Sequence, residues 1–330
     1  MIIKENIDLK PFNTFGIKSI AKRFFVIENN DDLINLFNNY NLEKFFVLGG
    51  GSNILLINQF YSDVIFLANQ ELKIISLDKD FTIVEVSAGY NWHSFLEFCL
   101  ENNLYGMENL ALIPGNCGAA PIQNIGAYGV EQSEYFYSAT VFDINTKSFK
   151  LFYNKDCNFS YRESIFKKNR NFIITNIRYK LKNYFEPNLE YNELKKIDSK
   201  NITANELFDK IIEIRRNKIP YPEQIGNAGS FFKNPIVNYD KLEELKNKYE
   251  NLPFYSFNSE FKISAAWLIE KAGLKGFALN DAAVSDRHSL VIVNKGNATG
   301  EEIYKLSEMI IDTVYNLFGI KLEREVNVIN

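Results

Sequence analysis

The chain has 330 residues, 46% of them hydrophobic, 24% charged and 15% aromatic, enough to bury cores in two or three domains and too apolar for a disordered protein. Lys plus Arg number 37 against 41 Asp plus Glu, and a net charge of -4 offers no basic face for a phosphate backbone, so no nucleic-acid partner is expected. No stretch approaches the ~18 consecutive apolar residues of a membrane span and the first residues have no apolar signal core, so a cytoplasmic protein without a membrane partner is expected.

In chain order, residues 20 to 67 read as an α/β unit: a strand at 23 to 27, a helix at 31 to 40 and a buried-strand run at 44 to 48 ending in Gly49-Gly50-Gly51-Ser52-Asn53. A strand follows at 64 to 67. Residues 72 to 77 and 81 to 86 read as a hairpin, and 92 to 102 as a helix. Residues 104 to 131 are rich in Gly, Ala, Asn and Pro yet too apolar for a solvated linker, which predicts a packed, functional loop. A second strand pair is predicted at 140 to 143 and 148 to 152, and a core-facing strand at 171 to 181. An exposed excursion follows at 184 to 202, then a helix at 204 to 217 whose basic end, Arg215-Arg216, suits its dipole. Beyond it lie a glycine loop at 226 to 230, helices near 240 to 250 and 263 to 272, and a strand at 289 to 293. An amphipathic helix is predicted from Gly300 to Phe318, opened by a Thr299/Glu302 capping box, and a last strand over 320 to 329.

Cys99, Cys117 and Cys157 show no CxxC spacing, and His93 and His288 stand apart, so neither a disulfide framework nor a metal site is expected. The triple glycine at 49 to 51 lets backbone amides approach an anion, but Ile54 stands where GxGxxG needs its last glycine. Alone it fits a phosphate loop and a tight turn equally well. Asn109 to Gly129 is more specific: its small residues let a flat ligand lie against backbone, with Gln123 and Asn124 supplying donors and acceptors. A glycine-rich packing loop is the alternative. Ser230, framed by glycines and two phenylalanines, reads either as a turn serine or as a hydroxyl shielded from bulk water. By its own pattern Arg162, in Tyr161-Arg162-Glu163-Ser164, is an ion-paired surface residue. Glu323 and Glu325, two apart on a predicted strand, share a face that is either catalytic or a solvated edge.

The segments Asn13-Thr14-Phe15-Gly16, Val47 to Leu55, Glu108 to Glu131, Tyr161 to Lys167, Gly226 to Pro235 and Leu322 to Val326 occur in the order seen in the UDP-N-acetylenolpyruvoylglucosamine reductases, the MurB family, and the resemblance spans essentially the whole chain. It implies an α+β protein with an FAD-binding fold of the vanillyl-alcohol-oxidase (PCMH) type. That fold would comprise two subdomains, residues 1–67 with 319–330 and residues 68–218, beside a separate α+β substrate-binding domain at 219–318. The resemblance implies FAD held by Gly49, Gly50, Gly51, Ser52, Asn53, Ile113, Pro114, Gly115, Ala119, Ala120, Gln123, Asn124, Gly126, Ala127 and Tyr128. The first loop carries no histidine, so the FAD is expected to be noncovalent, with NADPH as hydride donor.

The implied reaction is reduction of UDP-N-acetylglucosamine enolpyruvate to UDP-N-acetylmuramate, in peptidoglycan precursor synthesis. Ser230 would be the proton donor, Arg162 would steady the substrate carboxylate and Glu325 would share the catalytic role. Lys218, Asn234 and Tyr191 match substrate-binding positions of the longer, loop-bearing class, and His288 either contacts the substrate or flanks the following strand. That class often has an arginine where this chain has Asn327, and glutamine where it has His288. A monomer acting on small molecules is expected. A flavin oxidase of the same fold and a nucleotide-sugar-binding protein without catalysis compete with this reading; the missing tethering histidine opposes the first, and the retained Arg162, Ser230 and Glu325 oppose the second.

Overall fold

Phe136–Asp143 and Phe172–Lys182 are buried along most of their length, each with a single exposed residue, and are neighbours within a five-stranded antiparallel sheet. Its order is Ser148–Tyr153, Phe136–Asp143, Phe172–Lys182, Phe81–Ser87 and Leu72–Leu77. The computed structural model describes residues 1–330, and this sheet belongs to the first of two units, made of residues 1–7, 21–51 and 61–215. Against the sheet packs the helix Trp92–Glu101, with Trp92, Phe95 and Tyr179 at the centre of a cluster that also takes in Leu207 and Ile211 of the helix Ala204–Lys218. Trp92 and Phe95 meet Tyr179 at centroid distances of 5.9 and 5.4 Å. Emptying the Trp92 site would cost about 3 to 5 kcal/mol.

The same unit holds a four-stranded sheet in the order Ile2–Asp8, Ile20–Ile27, Phe60–Leu67, Phe45–Leu48, the last two parallel. Asn29 caps the helix Asn30–Asn39 by accepting from the Asp32 amide at 3.1 Å, and Leu33, Leu36 and Phe37 bury its inner face. Residues 184 to 202, expected to be an exposed excursion, form no helix or strand, yet they dock on the core. Leu194 is fully buried, and Leu189, Tyr191, Ile197 and Ile202 pack against the same cluster as Trp92.

The second unit comprises residues 8–20, 52–60 and 216–330. Its long helix, Gly300–Phe318, opens with the expected capping box and closes at Gly319 in the left-handed conformation, with φ +65. Ile303, Leu306, Ile310, Val314 and Phe318 recur at helical spacing on the buried face, each such side chain contributing about 1.5 to 3 kcal/mol. A Cβ on Gly300 would fall 1.7 Å from the Leu56 carbonyl oxygen, so the helix start rests directly on the strand Ile54–Leu56, which pairs in parallel with Asn327–Ile329.

Two expectations are corrected here. The glycine loop at 226 to 230 is a strand, Gly226–Ser230, at one edge of a sheet with Val291–Asn294, Ala282–Val284 and Ala278–Leu279. The last strand is Asn327–Ile329 rather than 320 to 329, because residues 323 to 326 bond irregularly to 231 to 233 instead of joining a ladder.

Candidate active site

In the first unit the triple glycine follows the strand Phe45–Leu48 and meets the loop 113 to 120 backbone to backbone. A Cβ on Gly50 would lie 2.8 Å from Gly115 Cα and 3.0 Å from Asn116 Oδ1, and one on Gly118 2.5 Å from Ala88 Cβ. The second loop is pinned along its length: the Trp92 amide donates to Gly115 O at 3.0 Å, the Cys117 amide to Tyr90 O at 2.8 Å and the Gly118 amide to Ala88 O at 2.9 Å. Trp92 Nε1 adds a bond to Leu110 O at 3.1 Å. Gly50, Pro114 and Ala119 are exposed, Gly49, Ile113 and Gly115 half-buried, and Ala120 and Tyr128 buried, a ledge of small residues open on one side. Tyr128 takes Tyr191 edge-on at 5.1 Å, which ties the docked excursion to this ledge, and burial pushes the Tyr128 phenol up.

Asn124 is fully buried with φ +44, and its side chain makes four hydrogen bonds. Nδ2 donates to Glu131 Oε2 at 2.7 Å and to Ser160 O at 3.2 Å; Oδ1 accepts from Gln132 Nε2 at 3.1 Å and from the Ser133 amide at 3.2 Å. Two donors and two acceptors are all that an amide side chain has, so the Asn124 side chain is fully used within the protein and acts by holding the loop. Gln123, Gly126 and Ala127 beside it are half-buried.

Arg162 lies in a tight turn closed by reciprocal Ser160 and Glu163 backbone bonds of 3.1 Å, and it is left-handed, with φ +56. Its guanidinium donates to Gly126 O at 2.7 Å and to Asn124 O at 3.4 Å, with the Tyr161 ring 5.3 Å from its carbon. Ser164 Oγ donates to Ile122 O at 2.6 Å, and Lys167 Nζ to Arg162 O at 3.1 Å. The turn and the loop are thus one stitched structure, with Arg162 half-buried between them.

In the second unit, Ser230 ends its strand opposite Val291, after a bulge in which Gly229 adopts φ +68 and donates to Asn227 Oδ1 at 2.9 Å. The following Phe231 and Phe232 are almost fully buried, which fixes the chain direction at Ser230. Phe231 O accepts the Glu325 amide at 2.8 Å, and the Lys233 amide donates to Glu323 O at 2.9 Å, so the segments bearing Ser230 and Glu325 run side by side. Glu323 and Glu325 are not an acid pair: Glu323, with 69% of its side chain exposed, holds the buried Lys233 ammonium at 2.6 Å. Asn53 Nδ2 donates to Glu325 O at 3.4 Å, while Asn53 O accepts from the Asn327 amide and side chain at 3.0 and 3.1 Å.

Among the substrate-binding expectations, Asn234 Oδ1 accepts the Ala265 amide at 2.9 Å, and His288 Nδ1 accepts the Leu290 amide at 3.3 Å within its own turn. Lys218 is half-buried at the end of the helix Ala204–Lys218. Glu131, Gln132 and the Asn53–Asn327 pair had no sequence signal, since their partners are revealed only by folding.

Residues 220–329 match the family model described as UDP-N-acetylenolpyruvoylglucosamine reductase, C-terminal domain, and residues 22–147 match an FAD binding domain. The UDP-N-acetylenolpyruvoylglucosamine reductase of Flavobacterium johnsoniae is 44% identical over 337 residues, covering 100% of both chains. The chain belongs to the UDP-N-acetylenolpyruvoylglucosamine reductase (MurB) family. A second reductase, from Shewanella sediminis, is 42% identical over 100% of this chain and 97% of its own. The fold agrees with the crystal structure of the reductase from Thermus caldophilus, at 23% identity and a TM-score of 0.71 over 100% of both chains.

As a MurB-family reductase the chain is an FAD-dependent oxidoreductase with the PCMH-type FAD-binding fold, acting on small molecules with NADPH as hydride donor. The residues present fit the flavin: at Gly50 the two loops approach so closely that a Cβ would collide, and at Gly118 the second loop lies as closely on Ala88, leaving a ledge of backbone and small side chains for a ligand to meet. No histidine stands in the first loop to tether it. The Asn327 departure now has a local role, because its amide binds Asn53 at the end of that loop.

Proposed function

We propose that Arg162, Ser230 and Glu325 carry the chemistry of this reductase, which converts UDP-N-acetylglucosamine enolpyruvate to UDP-N-acetylmuramate in peptidoglycan precursor synthesis. Bound FAD would supply the two-electron chemistry that links NADPH oxidation to reduction of the enolpyruvyl double bond. Gly49, Gly50, Gly51, Ser52 and Asn53 hold its pyrophosphate with the 113 to 128 loop, whose backbone groups need no countercharge to bind an anion. Arg162 steadies the substrate carboxylate with a permanently charged fork of donors, and with Glu325 favours the enol form that spreads charge developing at the adjacent carbon. Ser230 donates the proton that completes the addition, a task a weak acid performs only toward a carbanion-like acceptor. Tyr191, Lys218, Asn234 and His288 hold the nucleotide sugar.

The observation that supports this reading is the bond from the Glu325 amide to Phe231 O at 2.8 Å, a backbone contact between the two segments, remote in sequence, that bear the proposed acid and the proposed proton donor. No helix is long and apolar enough to cross a membrane. We take the enzyme to be a cytoplasmic monomer without nucleic-acid or membrane partners, divided into FAD-binding subdomains at 1–67 with 319–330 and at 68–218, and a substrate domain at 219–318. The test is anaerobic. The yellow protein should bleach with NADPH and recover its colour only with the enolpyruvyl nucleotide. Bleaching by a small alcohol in place of NADPH, with recovery on admitting dioxygen, would favour the oxidase reading, and a colourless protein or one bleached by neither reductant would favour the binding-protein reading.

A further inference from the structure

We propose that Asn124 and Glu131 are positioning residues for Arg162: a buried amide and its carboxylate partner hold the turn that presents the guanidinium. The inference rests on the reading that Arg162 acts on the substrate carboxylate. A non-glycine residue in the left-handed region costs about 1 to 2 kcal/mol, so Arg162 keeps φ +56 only where its surroundings enforce it. The turn's carbonyl at Ser160 accepts Asn124 Nδ2 at 3.2 Å, and that same nitrogen is held by Glu131 Oε2 at 2.7 Å. Oδ1 is fixed in turn by Gln132 Nε2 and the Ser133 amide, at 3.1 and 3.2 Å, and Tyr179 OH donates to Gln132 Oε1 at 3.2 Å. A continuous chain of bonds therefore runs from the buried Tyr179 through Gln132 and Asn124 to the backbone two residues before Arg162. From the other side the guanidinium bonds to the Asn124 and Gly126 carbonyls. Asn124 thus grips the Arg162 segment by its side chain and receives the Arg162 side chain on its backbone. The amide orientation at Asn124 follows from these partners, since a flipped amide would face Glu131 and Ser160 O with an acceptor.

Asn124→Asp keeps the shape and the two accepted bonds but replaces both donors with a carboxylate oxygen facing Glu131 and Ser160 O. Because Asn124 lies in the loop proposed to hold the cofactor, FAD affinity and bleaching by NADPH are measured beside the parent's, and the defect is expected chiefly in the second half-reaction, at saturating FAD. Colour recovery with the enolpyruvyl nucleotide should slow by about ten- to a hundredfold, the scale of a small misplacement of a reacting group. Hydrogen exchange at the Ser160 and Glu163 amides, which close the turn, should speed up at least about tenfold, a readout independent of turnover. Adding Glu131→Gln restores a donor opposite the new carboxylate and should recover part of both losses. If Asn124→Asp does not fold, Glu131→Ala on the half-buried partner carries the same expectation. Unchanged exchange at Ser160 and Glu163 would overturn the proposal, and so would a loss that Glu131→Gln does not relieve. Arg162→Ala serves as the reference. If it leaves colour recovery intact, the catalytic reading of Arg162 fails, while the exchange data still decide whether Asn124 holds the turn.

Discussion

Replacing Gly50 by alanine probes the proposed flavin ledge at its tightest point. The added Cβ would lie 2.8 Å from Gly115 Cα and 3.2 Å from its carbonyl carbon, both backbone atoms. Carbon atoms in contact prefer about 3.5 to 4.0 Å, so one loop must retreat by about 0.7 Å or more. The Gly115 side cannot yield cheaply, because its carbonyl is bonded to the Trp92 amide and the next residues to Tyr90 and Ala88. Overpacking of this kind costs about 1 to 3 kcal/mol, and displacing the first loop should weaken FAD binding about tenfold or more. Gly49→Ala is the internal control: its Cβ would meet only Asn116 and Ala119 Cβ atoms at 3.8 and 3.9 Å, ordinary contacts. There the effect should stay within about 1 kcal/mol, with a small gain from the less flexible unfolded chain. Thermal unfolding of both variants with and without FAD, and a fluorescence titration of FAD affinity, measure the contrast. Equal stability and equal FAD affinity in the two variants would refute the backbone-to-backbone contact of the loops.

Three further outcomes follow from the geometry. Glu323→Gln should leave both half-reactions unchanged in stopped-flow absorbance, because Glu323 is 69% exposed and engaged with Lys233; a collapse of either would restore it as a catalytic acid. The hydrogen bond from Lys150 holds the Asp143 carboxyl below the usual range, so its stabilisation is present above the unfolded carboxylate value and is lost as pH falls through the folded one. Urea unfolding from neutral to acid pH should therefore show a shallower acid decline in Asp143→Asn. Burial raises Cys99 and Cys117 well above the ordinary thiol value and pushes Cys157 up to about 12. Iodoacetamide at mildly alkaline pH should modify the native protein far more slowly than the urea-unfolded chain, as mass spectrometry would show.

The helix Gly300–Phe318 was legible to the residue because its signals are local: a Thr/Glu box at one end, a glycine at the other and an apolar stripe between. The hairpin at 72 to 87 and the packed 104 to 131 loop were legible for similar reasons. The strand Gly226–Ser230 was not, since Gly-Asn-Ala-Gly-Ser has no strand propensity and owes its conformation to Val291–Asn294, some sixty residues on. Ile2–Asp8 was missed because its outward, largely exposed side chains give no clear alternation. Residues 184 to 202 read as solvated by average polarity, yet Leu189, Tyr191, Leu194, Ile197 and Ile202, scattered without period among polar residues, dock them on the core. Of the candidate site, the glycines and Ser230 could be named from their pattern and the resemblance together. Asn124 was legible as important but not for its reason, because a saturated buried amide is defined by Glu131, Gln132, Ser133 and Ser160, which no spacing rule brings together.

The division of labour between Ser230 and the hydride chemistry is tested most directly by stopped-flow absorbance of Ser230→Ala in its two separate halves. Bleaching by NADPH should remain within about twofold of the parent, while colour recovery with the enolpyruvyl nucleotide should fall by about two to four powers of ten, because the missing proton is needed only there. Equal slowing of both halves, or an undiminished recovery, would contradict the account.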